Sequence, residues 1–361
     1  MRTTKFFTLA AVALLTTGMG FSSCSKENGD DHLSAGKFSV TLSFKGASTR
    51  ADGGTAVGGT TVGIVDGYIC FVSAGGAVTD VYTISSSPTS GKNINAATLG
   101  STPVTIENVP GTSSRVFMIA NKGSLSTPPT EGLNIAAFLS LNMKVTDQGD
   151  YTKVTSTGDA PLTPGATDRD RNAAINLSTQ VARIQIGEIG FDSNITGTLA
   201  GIFVNGFYPA MQINGSADAW QTSAVAANYN ESTGIFLSEY KNYVYDIVNK
   251  VIATAVRPNN GAWGYNLFAG ATPQIVIKLT NVVVDGDVVL DDPQFVTING
   301  FKKSDGTEID QLEGGMIYSV KTGSVVIKYE NITPEPGVTP LSVHVTVTPV
   351  TWQETVVEPN M

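Results

Sequence analysis

Seven residues of unbroken alternation, Phe38-Ser39-Val40-Thr41-Leu42-Ser43-Phe44, constrain this fold more than any other stretch. Large apolar side chains at every second position, with small polar ones between, describe a β-strand buried on one face. Lys45 to Gly54 follows, mostly small and polar, with a single arginine, Arg50, ahead of Ala51. That composition reads as an exposed loop offering a cleavage site to a trypsin-like protease. At the other end of the chain, Leu341-Ser342-Val343-His344-Val345-Thr346-Val347 repeats the pattern position for position. A removable strand at the start and a matching one at the end lead to an expectation of donor-strand exchange. In it, one chain's last strand takes the place of another chain's first.

The remaining sequence is that of an all-β protein with minor α content. Only 15% of residues are charged and 38 of 361 are glycine, while Ser, Thr and Asn are abundant. Such a composition favours short strands joined by tight turns over helices. The length suits about two domains, each with a core. Net charge is −9, and because residues 1–50 hold six of the 22 basic and three of the 31 acidic side chains, residues 51–361 stand at −12. An acidic surface argues against nucleic acid as a partner.

Residues 1–23 read as a targeting segment: Arg2 and Lys5, then an apolar or small-residue run from Phe6 to Met19, too short to span a bilayer comfortably. Phe21-Ser22-Ser23-Cys24 closes it, a small-residue pair before a cysteine, similar to the lipobox at which bacterial lipoproteins are acylated. The polar stretch after Cys24 reads as a tether. With Cys24 acylated, Cys70 is the only other cysteine, and its apolar surroundings make it a small buried hydrophobe.

Strand signals recur downstream: Thr61 to Val72, broken at Asp66-Gly67, then Ala77–Ile84, Val104–Val109 and the apolar run Arg115–Asn121. Gly132–Lys144 is the best helix candidate, and Asp147–Arg171 is loop-like. A domain boundary is expected near residue 175, dividing 51–175 from 176–361. The second part contains the alternating strand Val181–Ile186, a run from Leu199 to Tyr208, and an aromatic-rich region from Ala219 to Tyr245. Gln274–Val284 precedes an Asp285-Gly286 hairpin turn of type I′. Ser319–Tyr329 and two terminal strands, Leu341–Thr348 and Thr351–Val357, complete the list.

Residues that carry chemistry are sparse. Two histidines, His32 and His344, have no partners in sequence for a triad or a ligand set. Asp285, Asp287, Asp291 and Asp292 lack calcium-loop spacing and read as turn acids. Asp168, Arg169, Asp170 and Arg171 read as surface ion pairs of small value. Trp220, Trp263 and nearby tyrosines read as packing residues before a sugar platform. No catalytic residue, metal or cofactor is expected.

Taken together, the lipobox-like Phe21–Cys24, the strand-plus-arginine of Phe38–Arg50, and the terminal Val343–Trp352 resemble the fimbrillins of Bacteroidetes, the subunits of type V pili. The likeness is greatest to the major stalk subunits. The resemblance implies two transthyretin-like β-sandwich domains with a donor-strand appendage at 340–361. It implies an outer-membrane lipoprotein precursor carrying palmitate-type acylation on Cys24, cut between Arg50 and Ala51 by an arginine-specific or trypsin-like protease. Loss of residues 24–50, with Phe38, Val40, Leu42 and Phe44, would open a groove for a neighbour's Leu341, Val343, Val345, Val347 and Trp352. Partners would be further copies of the chain and the tip and anchor subunits of a fimbrium that supports adhesion. The alternatives are a minor or tip subunit, or a monomeric surface lipoprotein that binds host glycan or protein through the aromatic region.

Overall fold

A computed structural model describes residues 36–349 apart from 46–47, 50–59, 62, 90, 100–101, 126, 216–228, 231–234, 237–240, 253, 260, 321, 324 and 338–339. The alternating stretch forms β1 (Lys37–Lys45). It is followed by β2 (Asp66–Ser73), β3 (Val78–Ser85), β4 (Asn93–Asn95), β5 (Val104–Pro110), β6 (Ser113–Ala120), β7 (Ser156–Pro161) and β8 (Asp170–Asn176). One sheet has the order Thr163–Pro164, β8, β1, β5, and the other the order Ser178–Thr179, β7, β6, β2, β3, β4. Val40 and Leu42 of the first sheet meet Ile69, Phe71, Val116 and Met118 of the second in one apolar core. The opposite face of β2 and β6, with Tyr68, Cys70 and Phe117, is buried in a second core. Burial on both faces explains why these strands read as continuous apolar runs instead of alternating ones.

The second half of the chain repeats this plan. Its strands are β9 (Val181–Ile186), β10 (Ile195–Asn205), β11 (Tyr245–Val251), β12 (Trp263–Phe268), β13 (Gln274–Val284), β14 (Gln294–Lys302), β15 (Met316–Val320) and β16 (Pro340–Pro349). In the first half β1 runs parallel to β8 and antiparallel to β5. In the second, β9 runs parallel to β15 and antiparallel to β12. The order β7-β6-β2-β3 is matched by β14-β13-β10-β11. Strand for strand, in chain order, β1 corresponds to β9, β2 to β10, β3 to β11 and β5 to β12, and β6, β7 and β8 to β13, β14 and β15. Two sandwiches of one topology result, and among the described residues β16 has no counterpart in the first.

Between the halves, Asn142–Lys144 pairs with Ala210–Gln212. Arg183 of β9 lies with its guanidinium 4.9 Å from the Tyr151 ring centre. Its Nη1 donates to Asn266 Oδ1 at 2.8 Å, and Asn266 Nδ2 donates to the Gln148 carbonyl at 2.7 Å. Gln148 in turn exchanges two bonds with Thr155, whose hydroxyl donates to the Asn121 carbonyl at 2.6 Å. Arg183, Asn266, Gln148, Thr155 and Asn121 are all buried, so this chain of bonds satisfies polar groups that would otherwise be costly at a dry contact.

Several sequence expectations need correction. The helix expected over Gly132–Lys144 is only Ile135–Leu139, capped by the Asn134 side chain on the Ala136 N–H at 2.9 Å. The chain then leaves the helix at Ser140, and Met143 is drawn into the short strand pair with Met211. The stretch expected as a loop, Asp147–Arg171, contains β7, because Gly158 fits where a side chain would not. A Cβ there would lie 2.6 Å from the Ile175 methyl and 2.7 Å from the Asn176 carbonyl. The Thr61–Val72 stretch is two strands, Thr60–Thr61 and then β2, which starts at the Asp66-Gly67 break. The Asp285-Gly286 turn, by contrast, is of type I′ as expected, with both residues at positive φ (55° and 83°).

Gly67 carries the sharpest steric demand against neighbouring backbone. Its φ is +150°, and a Cβ would sit 2.0 Å from the Ile119 carbonyl oxygen of the paired strand. Backbone cannot give way as a side-chain tip can, so Gly67→Ala should force β2 and β6 apart and cost roughly 3 kcal/mol or more. Urea unfolding of the variant checks this, and a loss within 0.5 kcal/mol, on the order of a surface substitution, would contradict it.

Candidate functional site

The candidate site is β1 and the place it occupies. Ser39 to Lys45 pair in parallel with Asp170 to Asn176 of β8, while Lys37 to Leu42 pair with Pro110 to Val104 of β5 across a bulge after Phe38. β1 is therefore an interior strand, and its removal would strip two neighbours of their backbone partners. Val40 and Leu42 are fully buried, and Phe38 and Phe44 at either end are half-buried against the same core. The opposite face carries small polar groups: Ser39 Oγ donates to Glu107 Oε1 at 3.3 Å, and the hydroxyls of Thr41 and Thr105 lie 3.3 Å apart. At the entry, the Gly111 N–H donates to the Gly36 carbonyl at 2.8 Å.

The charged run beside β1 does something other than the ion pairing expected of it. Arg171 Nη1 donates to the carbonyls of Asp168 (2.9 Å) and Asp170 (2.7 Å), and its guanidinium carbon lies 4.0 Å from the Phe38 ring centre. The Asp170 carboxylate accepts from the Thr167 N–H at 3.0 Å. No sequence pattern would have joined Arg171 to Phe38, because the contact follows from the parallel pairing of β1 with β8.

The last strand is placed differently. Pro340 to His344 pair in parallel with β14, and Val345 to Pro349 pair antiparallel with β15. Since β14 and β15 correspond to strands of opposite layers, β16 crosses from one layer to the other, and each half carries a single ladder. Val343 and Val345 are buried and Leu341 is half-buried. This matches the β1 pattern of buried Val40 and Leu42 next to a half-buried Phe38. Val347 pairs through its backbone with Tyr318. Its side chain, Cys24, Arg50, Ala51 and Trp352 lie outside the described residues, as does Trp220. Trp263 is buried at the start of β12 and cannot offer a ring face to a sugar.

Other chemistry is confined to structure. Cys70 is wholly buried in β2, and burial pushes its thiol up to about 12. Among the described residues no group of three or more His, Cys, Asp or Glu is arranged to hold a metal. The Asp285 carboxylate accepts from Asn194 Nδ2 at 3.0 Å and the Asp292 carboxylate from the Asn281 N–H at 2.7 Å, as turn acids do.

No protein-family model matches the chain, and no curated protein matches it. Among solved structures it is similar to a candidate cell adhesion protein from Bacteroides eggerthii, at 17% identity over 88% of this chain and 96% of that one, with a TM-score of 0.53. Weaker likenesses are to a fimbrial assembly protein from Parabacteroides distasonis (12% identity, 79% and 90% covered, TM-score 0.40) and to the fimbrial anchor protein Mfa2 from Porphyromonas gingivalis (8%, 87% and 98%, TM-score 0.32). The chain has the all-β sandwich fold of its Bacteroides neighbour across nearly the whole length of both.

Two outcomes follow from the site's geometry. Leu42→Ala should cost about 2–5 kcal/mol, because a fully buried side chain in an interior strand leaves a cavity. Thr41→Ala, on the outer face, should stay within about 0.5 kcal/mol. Chemical denaturation compares the two, and equal losses would mean β1 contributes no core. Cys70 should fail to react with a disulfide reagent at pH 8 in the folded protein and react fully in urea, since its thiolate is suppressed and shielded. Rapid labelling of the native state would contradict its placement.

Proposed function

We propose that the chain is a structural stalk subunit of a cell-surface pilus, made as an outer-membrane lipoprotein precursor through Cys24 and cut between Arg50 and Ala51. It polymerises when the terminal segment 340–361 of one copy fills the place vacated by β1 of the next. The observation that supports this best is the mismatch between two sandwiches of one topology. The first keeps, in an interior position, a strand close to the start of the chain that lies ahead of the expected cut at Arg50. The second holds a spare strand of the same pattern that belongs to no shared position.

The physical logic is a switch. While β1 is present, its two ladders and its buried Val40 and Leu42 occupy the groove, so assembly is blocked. Once it is lost, β8 and β5 face each other across unpaired backbone and the exposed side chains of the core. A strand carrying Leu341, Val343, Val345 and Val347 offers about 1.5–3 kcal/mol for each large apolar side chain buried, before ordering costs. Register is enforced because a slip of one residue would turn Ser342, His344 and Thr346 inward. Among the described residues each half of β16 has a ladder on one side only, so leaving its own domain breaks a single ladder along each half and exposes Val343 and Val345 until they are buried in the next copy. A head-to-tail contact of this type does not close on itself, so it propagates as a filament. The partners are other copies, tip and anchor subunits and an arginine-specific or trypsin-like protease. The role is structural, with no catalytic step.

The test is limited trypsin digestion of the protein, followed by N-terminal sequencing and gel electrophoresis in SDS without boiling. A new N-terminus at Ala51 together with an SDS-resistant ladder, abolished by deleting residues 340–361, is the expected result. Cleavage at Arg50 that yields only monomer would overturn the stalk assignment in favour of a tip, minor subunit or plain adhesin.

A further inference from the structure

In the repeated pattern, Phe38 of β1 corresponds to Leu341 of the terminal segment, Leu42 to Val345 and Phe44 to Val347. The segment that would enter the groove is smaller at three of four positions, and it has no aromatic ring at the first. That first position is where the groove has a built feature. The Arg171 guanidinium is fixed by two carbonyls at the start of its own strand, Asp168 and Asp170, and its central carbon lies over the Phe38 ring, 4.0 Å from the ring centre. The loop is closed by the Gly165 N–H on the Asp170 carbonyl at 2.9 Å and by the Thr167 N–H on the Asp170 carboxylate. Nothing from β1's side chains is needed to aim Arg171. A planar cation stacked on a ring is attracted by the ring's quadrupole, and an aliphatic side chain gives no such attraction.

Resting on the strand-exchange reading above, we propose that Arg171 is a specificity-determining residue of the groove: with Phe38 it forms a clasp that favours the chain's own first strand over the terminal strand of another copy. Cutting the loop behind β1 then has a second role besides freeing it. It converts a tethered competitor with the better fit at the clasp into a peptide that is lost by dilution, after which the smaller strand meets no rival. Arg171 thus sets how long a cut subunit stays closed.

The experiment uses the full chain with a specific protease site in place of residues 51–56, so that nicking does not depend on Arg50. After nicking, release of the β1 peptide on dilution is followed by native mass spectrometry. Phe38→Leu and Arg171→Gln should each speed release about three- to thirty-fold. The double substitution should be no faster than the faster single one, and Phe38→Tyr, which keeps the ring, should release at the wild-type rate. An unchanged rate in Arg171→Gln, or a double substitution whose effect is the product of the two single ones, would overturn the clasp. Competition with a synthetic peptide of residues 340–361 separates the two readings. Preference shifted toward that peptide by Arg171→Gln supports both. A peptide that binds wild type and Arg171→Gln with equal preference overturns the clasp alone. A peptide that binds no variant, while release rates follow the expected pattern, overturns strand exchange and leaves the clasp as a retention device for β1.

Discussion

Backbone pairing of an interior strand is the constraint on which this structure depends. β1 is bonded on one side to β8 and on the other to β5, and both neighbours carry polar groups that tolerate no vacancy once water is excluded. The side chains beneath it, Ile69, Phe71 and Met118 among them, share one core with Val40 and Leu42. A sandwich built this way needs some strand in that position. The position is defined by ladders and by a periodic apolar face, and neither records which chain supplies it. β9, the counterpart of β1 in the second sandwich, also carries a link to the other half of the molecule, from Arg183 through Asn266 to the Gln148 carbonyl.

How much was legible in the sequence depended on where the signal was local. β1, β13 and the Asp285-Gly286 turn could be read directly because period, length and turn chemistry are short-range properties. β7 could not, because its Gly158 is explained by contact with Ile175 and Asn176, which the alternation of its own residues does not reveal. The helix was overestimated because Leu141 and Met143 continue an apolar run whose last part serves a strand pairing with Met211. At the site, the burial of Val40 and Leu42 was readable from pattern. The contact of Arg171 with the Phe38 ring was not, since it depends on a parallel register, with Val40 opposite Arg171, that nothing near either residue specifies. The repetition of one topology across the two halves was equally hidden, being carried by strand order and direction and not by sequence similarity.

The pairing of β16 to β14 through one half and β15 through the other also bears on how the second sandwich is closed. In the first sandwich the corresponding strands β7 and β8 come together directly, with Gly158 against the backbone of Asn176. In the second, β16 lies between them, paired with one through each of its halves. One architecture thus has two ways of finishing the same flank, one with a glycine contact and one with an added strand.

The parallel run of β1 along β8 has a mechanical consequence. A strand seated in that place and pulled along its own length would have its cross-strand bonds loaded together, in shear, and not peeled one after another. Seven consecutive residues, Ser39 to Lys45, share that load with β8. Resistance to pulling is therefore set by the whole register at once, and the bulge after Phe38 on the β5 side marks where such a strand would begin to yield.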